Sequence, residues 1–105
     1  MLEKLVLIAP EDFDSYLALA SVNKESGKSV LSEYITKARQ FIPADDFYNL
    51  ACLESICDNV DLALEYLEKA SKLEQFNPAW TWDDPDLQWI REESRFTKIV
   101  GPRPK

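Results

Sequence analysis

The chain has 105 residues, 46% of them hydrophobic and only two of them glycine, enough for a packed core and too apolar for a disordered tail. Nineteen acidic residues outnumber twelve basic ones, for a formal charge of −7, which argues against nucleic acid and anionic membrane as partners, since both need a basic face. No apolar run approaches the ~20 residues of a membrane span, and Leu5–Ala9 is too short for a signal-peptide core and has no cleavage pattern after it.

The first segment runs from Leu2 to Pro10. From Asp12 a helical period sets in and holds, with breaks, to Leu73. Its first helix places Tyr16, Leu19, Ala20 and Asn23 on one face, and Gly27 is the stop signal. The second carries Leu31, Ile35, Ala38 and Phe41 on one stripe and cannot continue past Pro43. The third begins with Phe47, Leu50, Ala51, Leu53 and Glu54, and Asp58-Asn59 forms the turn after it. Asp61 is the expected cap of the fourth, which carries Ala63, Leu64, Leu67, Ala70 and Leu73. Small residues at Ala20, Ala38, Ala51, Ala63 and Ala70 suit close helix crossings. The period breaks after Phe76, and Asn77-Pro78 marks a turn. Trp80, Trp82 and Trp89 crowd the next segment. Asp84-Pro85-Asp86 reads as a cap, a first-turn proline and a dipole-matched carboxylate, predicting a short helix through Ile90. Ser94 is the expected cap of a last turn holding Phe96, Ile99 and Val100, which Gly101-Pro102 ends.

Phrases recur along this order. Leu2-Glu3-Lys4-Leu5, Ile35-Thr36-Lys37-Ala38 and Leu67-Glu68-Lys69-Ala70 are spaced by 33 and 32 residues. Tyr16-Leu17-Ala18-Leu19-Ala20 and Phe47-Tyr48-Asn49-Leu50-Ala51 are spaced by 31. Tyr34 and Tyr66 also recur in register and are expected between helices. A fixed period of this size signals a stacked array of one supersecondary unit, whose usual product is a binding surface rather than chemistry.

The pattern resembles the tetratricopeptide repeat: an aromatic, a Leu and a small residue on one helix, then Ala, a large apolar residue and Ala on the next, then Pro. One copy runs Tyr16, Leu19, Ala20, Leu31, Ile35, Ala38, Pro43; the fuller one runs Phe47, Leu50, Ala51, Ala63, Leu67, Ala70. Asn23 and Glu54 stand where the family prefers Tyr, Leu31 replaces an Ala, and Gln75 replaces the closing Pro. The ending Asp84-Pro85-Asp86-Leu87 … Arg91 … Arg95-Phe96 is similar to the segment closing many bacterial arrays of this family. The resemblance implies an all-α fold of antiparallel helix-pair repeats in one domain, a short α-solenoid. Residues 11–43 and 44–76 form two repeats, and 77–101 form a capping helix pair. Residues 1–10 are read either as the remnant of a preceding second helix, leaving Leu2, Leu5 and Val6 as an apolar edge for a second copy, or as a short capping helix.

Sharper chemistries fare poorly against this reading. Gly27-Lys28-Ser29 looks like the end of a phosphate loop, but Val22 stands where that motif needs Gly and the upstream pattern is helical. The carboxylate pairs and clusters at Asp12/Asp14, Asp45/Asp46 and Asp83/Asp84/Asp86 sit at expected helix starts, where they suit the dipole. The chain has no His, which removes His-based triads and the usual zinc sites, and its two Cys make no Cys-x-x-Cys pair. Cys52 and Cys57 would lie about 140° apart on a helix, so no bridge is expected and the two thiols suit a reducing cytoplasm. No catalytic group, metal or cofactor is expected. The Trp cluster has two readings: a ligand platform, since Trp is enriched at binding hot spots, or, as favoured here, a plug over the last helix face, with Trp80 and Trp89 folded onto the Ala63–Leu73 helix.

The resemblance places the binding groove on the first helix of each pair. That implies Leu17, Ser21 and Lys24 from one repeat and Asp45, Tyr48, Asn49, Cys52 and Ser55 from the next. Only Lys24 and Asn49 match the residues with which family members clamp a terminal carboxylate, so an internal peptide or a helix of a partner protein is the expected ligand. The function expected is non-catalytic protein–protein interaction. The alternative is a structural, self-associating terminal module of a larger repeat protein, and a small enzyme comes last.

Overall fold

The structure, a computed structural model, describes residues 13–27 and 32–103. The expectations for residues 1–10, for the apolar edge Leu2, Leu5 and Val6, and for Lys28, Ser29 and Leu31 lie outside the described residues. All regular elements described are helical: α1 (Phe13–Glu25), α2 (Ser32–Phe41), α3 (Phe47–Ile56), α4 (Val60–Ser71), α5 (Pro78–Asp83), a 3-10 turn (Pro85–Leu87) and α6 (Ser94–Val100). None of these helices is long and apolar enough to cross a membrane. The chain divides into two compact units between Pro43 and Ala44.

In the first unit α1 packs against α2. Gly27 follows α1 at φ +79°, a left-handed conformation that glycine takes without a Cβ penalty, and its N–H returns to the Lys24 carbonyl. Tyr16, Leu17, Ala20 and Ser21 of α1 are buried, as are Tyr34 and Ala38 of α2 and Ile42 just beyond it. The Tyr16 and Tyr34 rings lie 6.3 Å apart, tilted by 36°.

The second unit is built on the α3–α4 hairpin. Asp46 caps α3: its carboxylate accepts from the Asn49 N–H at 3.4 Å and from the Asn49 side-chain amide at 2.8 Å. Residues 57–59 turn the chain, with Asp58 at φ +63°. The cap of α4 is Asn59 rather than the expected Asp61, which lies in the first turn. The Asn59 amide instead donates to the Glu54 carboxylate at 2.7 Å, and the Asn59 N–H to the Glu54 carbonyl at 2.9 Å. A buried glutamate thus ties the turn from the position where an aromatic was expected. Between the helices Ala51, Ala63 and Ala70 are essentially inaccessible, with Leu53, Ile56, Leu64 and Leu67 filling the space around them. The Phe47 and Tyr66 rings stack at 6.4 Å, so both hairpins hold an aromatic of the first helix against a tyrosine of the second.

The remaining chain returns over this hairpin. Asn77 caps α5 through the Trp80 N–H, with Pro78 in the first turn. The segment after Asp84 forms only a 3-10 turn, not the helix expected through Ile90. The Arg91 guanidinium donates to the Asp84 carbonyl at 2.7 Å, and the Gln88 N–H bonds Pro85 instead of Asp84. The acceptor that would begin an α-helical ladder is therefore shared by Arg91 and the Leu87 N–H. The last helix starts after Glu93, one residue ahead of the expected cap Ser94. It packs on α4 and carries Phe96 and Val100 inward.

The tryptophans are sorted differently from the sequence expectation. Trp82 is the buried one: its ring meets Phe96 edge-on at 4.7 Å, and its indole N–H donates to the Gly101 carbonyl at 3.0 Å. With Leu87 and Ile90, both fully buried, this pair forms the core of the returning segment. Trp80 is 51% exposed and does not serve as the plug. The element that covers α4 is α6, and Trp82 packs on its Phe96; a helix of six residues can offer α6 only one of the two indoles, which lie on opposite faces of α5.

Candidate functional site

At the end of the α3–α4 hairpin, within the second unit, lies an open groove of about 560 Å³. Ala70, Leu73 and Phe76 give it an apolar base, Tyr48 and Trp80 give it aromatic walls, and Asp45 and Asp46 stand on one rim. Each is there for a local reason. Asp45 and Asp46 precede α3, and Asp46 is its cap. Leu73 and Phe76 are set where α4 unwinds into tight turns, the Phe76 N–H bonding the Leu73 carbonyl. Trp80 is held in the first turn of α5 by the Asn77 cap.

Tyr48 joins this groove to a polar knot beneath it. Its ring meets Phe76 edge-on at 6.5 Å, and its hydroxyl donates to Asp84 Oδ2 at 2.6 Å. The Cys52 thiol points at the same oxygen at 3.8 Å, and Asp84 Oδ1 accepts from the Asp86 N–H at 3.0 Å. One buried carboxylate thus caps the 3-10 turn and pins it to α3. Burial, then the bond to Asp84, pushes the Tyr48 hydroxyl well above its ordinary range. Burial, then the Asp84 charge, does the same to the Cys52 thiol. A thiol held protonated is the opposite of a nucleophilic thiolate, so the arrangement does not activate Cys52.

Ligand atoms of Cys52, Asp84 and Asp86 lie within 4.8 Å of one another, the donor set that could best hold a cation among the described residues. Both Asp84 oxygens are already committed to donors, and a cation there would have to break the bonds that dock the 3-10 turn. Asp84 lies 36 residues from Tyr48 and 32 from Cys52. Sequence reading took the Asp83/Asp84/Asp86 cluster as a cap, which is true of Asp84, and had no signal for its distant partners.

The residues expected in the groove fall in several places. Leu17 and Ser21 are buried in the first unit, and Lys24 is partly exposed in the last turn of α1. In the second unit Asp45 and Tyr48 line the groove, while Asn49 is partly exposed and bonded to Asp46. Cys52 and Ser55 are buried, Cys52 against Asp84, and neither offers surface to a partner. The face of α3 that carries Tyr48 and Cys52 meets the chain's own 3-10 turn. Leu73 and Phe76 were missed as lining residues, the only sign being apolar side chains continuing past the end of the helical period, and Trp80 was set as a ligand platform only behind the plug reading.

No family model, no curated protein and no solved structure matches this chain.

Proposed function

We propose that this chain is a non-catalytic protein-interaction module: a short tetratricopeptide-like array of two helix hairpins, closed by a C-terminal cap, that seats an apolar side chain of a partner protein in the groove beside Trp80. The observation that carries this reading is Trp80 itself. A tryptophan 51% exposed, next to a 39%-exposed Leu73 and facing an aromatic-walled groove, leaves apolar surface open to water. Buried aromatic anchors of this kind dominate interface energetics. The repeat reading is supported by the equivalent ring pairs Tyr16–Tyr34 and Phe47–Tyr66 and by the unit boundary after Pro43. The non-catalytic reading is supported by Cys52, whose surroundings keep it protonated. Two cysteines not joined in a disulfide support a reducing compartment such as the cytoplasm.

A photo-crosslinking amino acid at position 80, with one at the exposed Leu62 as control, tests this reading. Position 80 is expected to label one segment of one partner, and Leu62 is not. Equal labelling from both positions, or a partner that binds Trp80→Ala as well as the parent, refutes it.

A further inference from the structure

Resting on the reading of the groove as a seat for a partner segment, we propose that the segment carries an aromatic or long aliphatic side chain flanked by Lys or Arg. The groove has two chemically distinct parts. Its base and walls, from Leu73, Phe76, Tyr48 and Trp80, suit an apolar anchor. Its lining includes Asp45 and Asp46, and no basic residue is among its described lining residues. Asp45 is exposed, and Asp46 is held in place by its bonds to Asn49, so its charge cannot swing away from the rim. The Lys69 ammonium, 5.4 Å from the centroid of the lining Phe47 ring, offsets them in part, one cation against two carboxylates, and Gln75 and Asn77 are neutral.

Three physical effects select the same partner. The two carboxylates attract a cation placed beside the anchor and repel an acidic flank or a chain-terminal carboxylate. The open face of Trp80 adds an attraction for ammonium or guanidinium through its ring quadrupole. The net charge of −7 steers basic segments toward the surface and acidic ones away. The volume, about 560 Å³, lies within the usual range of small-ligand clefts, so it takes one anchor and its neighbours rather than a whole helix.

The test uses the full chain and three dodecapeptides sharing a central Leu-Phe, flanked by Lys, by Ser or by Glu, titrated calorimetrically and by Trp fluorescence. The Lys-flanked peptide is expected to bind most tightly, and the Glu-flanked one at least tenfold more weakly. Asp45→Lys is expected to weaken the Lys-flanked peptide by about fivefold, the upper range for one exposed charge pair. Raising salt from about 50 to about 500 mM is expected to shrink the difference between peptides. Equal affinity for all three, lost in Trp80→Ala, overturns the charge selection while leaving the apolar seat standing. Binding by none of them overturns both readings. A parent chain that dimerises in light scattering, and that Trp80→Ala returns to monomer, makes a second copy the occupant and overturns the proposal.

Discussion

Replacing Tyr48 by Phe removes one oxygen from the second unit and should cost far more than its size suggests. The hydroxyl donates to Asp84 Oδ2 at 2.6 Å, and Asp84 is only 5% exposed. Phenylalanine keeps the ring and its edge contact with Phe76, so packing is little changed. What is lost is a hydrogen bond to a carboxylate, about 1.5–3 kcal/mol. The other donor on that oxygen is a thiol at 3.8 Å, a weak substitute. Tyr48 is only partly buried and water can reach part of the site, so we expect about 2 kcal/mol. For a unit of this size that lowers the melting temperature by about 8–16 °C. Near-ultraviolet dichroism reads the transition through Trp82, packed on Phe96 in the same unit. A double-mutant cycle with Asp84→Asn isolates the pair, and a coupling of at least about 1 kcal/mol is expected. A cost for Tyr48→Phe below about 0.5 kcal/mol, or a coupling near zero, would refute the view that this bond docks the 3-10 turn on α3.

Three further outcomes follow from the same core. Ala63→Leu overpacks a fully buried helix crossing and should destabilise by about 1–3 kcal/mol in urea unfolding, whereas the same change at the exposed Ala18 of α1 should stay within about 0.5 kcal/mol. Trp82→Ala should cost about 3–5 kcal/mol, while Trp80→Ala should leave the melting temperature nearly unchanged. Stability should fall at alkaline pH: Cys52 and Tyr48 stay protonated in the native state, while the unfolded chain releases their protons near 9.0 and 10.0. The unfolded state then binds fewer protons, so stability is full below pH 9 and drops by about 1.4 kcal/mol per pH unit for each group above its ordinary value. Cys52→Ala should remove the earlier part of that fall, and unchanged pH dependence in this variant would contradict the assignment.

The sequence by itself determined helices α1 to α4 and α6 and where most of them stop, but not α5, nor that the segment after Asp84 is only a 3-10 turn. Gly27, Pro43 and Asp58-Asn59 end helices through conformations or missing donors that belong to those residues alone, and the alanines at 51, 63 and 70 announce a close crossing because only a methyl fits there. Asp45 and Tyr48, which the resemblance placed in a groove, line the groove found at the start of α3. Which faces stay open was a different matter. Helical period places Tyr48, Cys52 and Ser55 on one side of α3 but does not say what covers that side. Only the return of the chain through Asp84 decided that Cys52 is sealed while Tyr48 keeps its ring at the groove. The choice of Trp82 over Trp80 for the core likewise rests on where α6 lands, with Phe96 and Gly101 supplying the partners. Local signals act through neighbours within about a turn of helix, whereas exposure is set by contacts such as Trp82 with Gly101, 19 residues on, and Tyr48 with Asp84, 36 residues on, whose meeting no local pattern encodes.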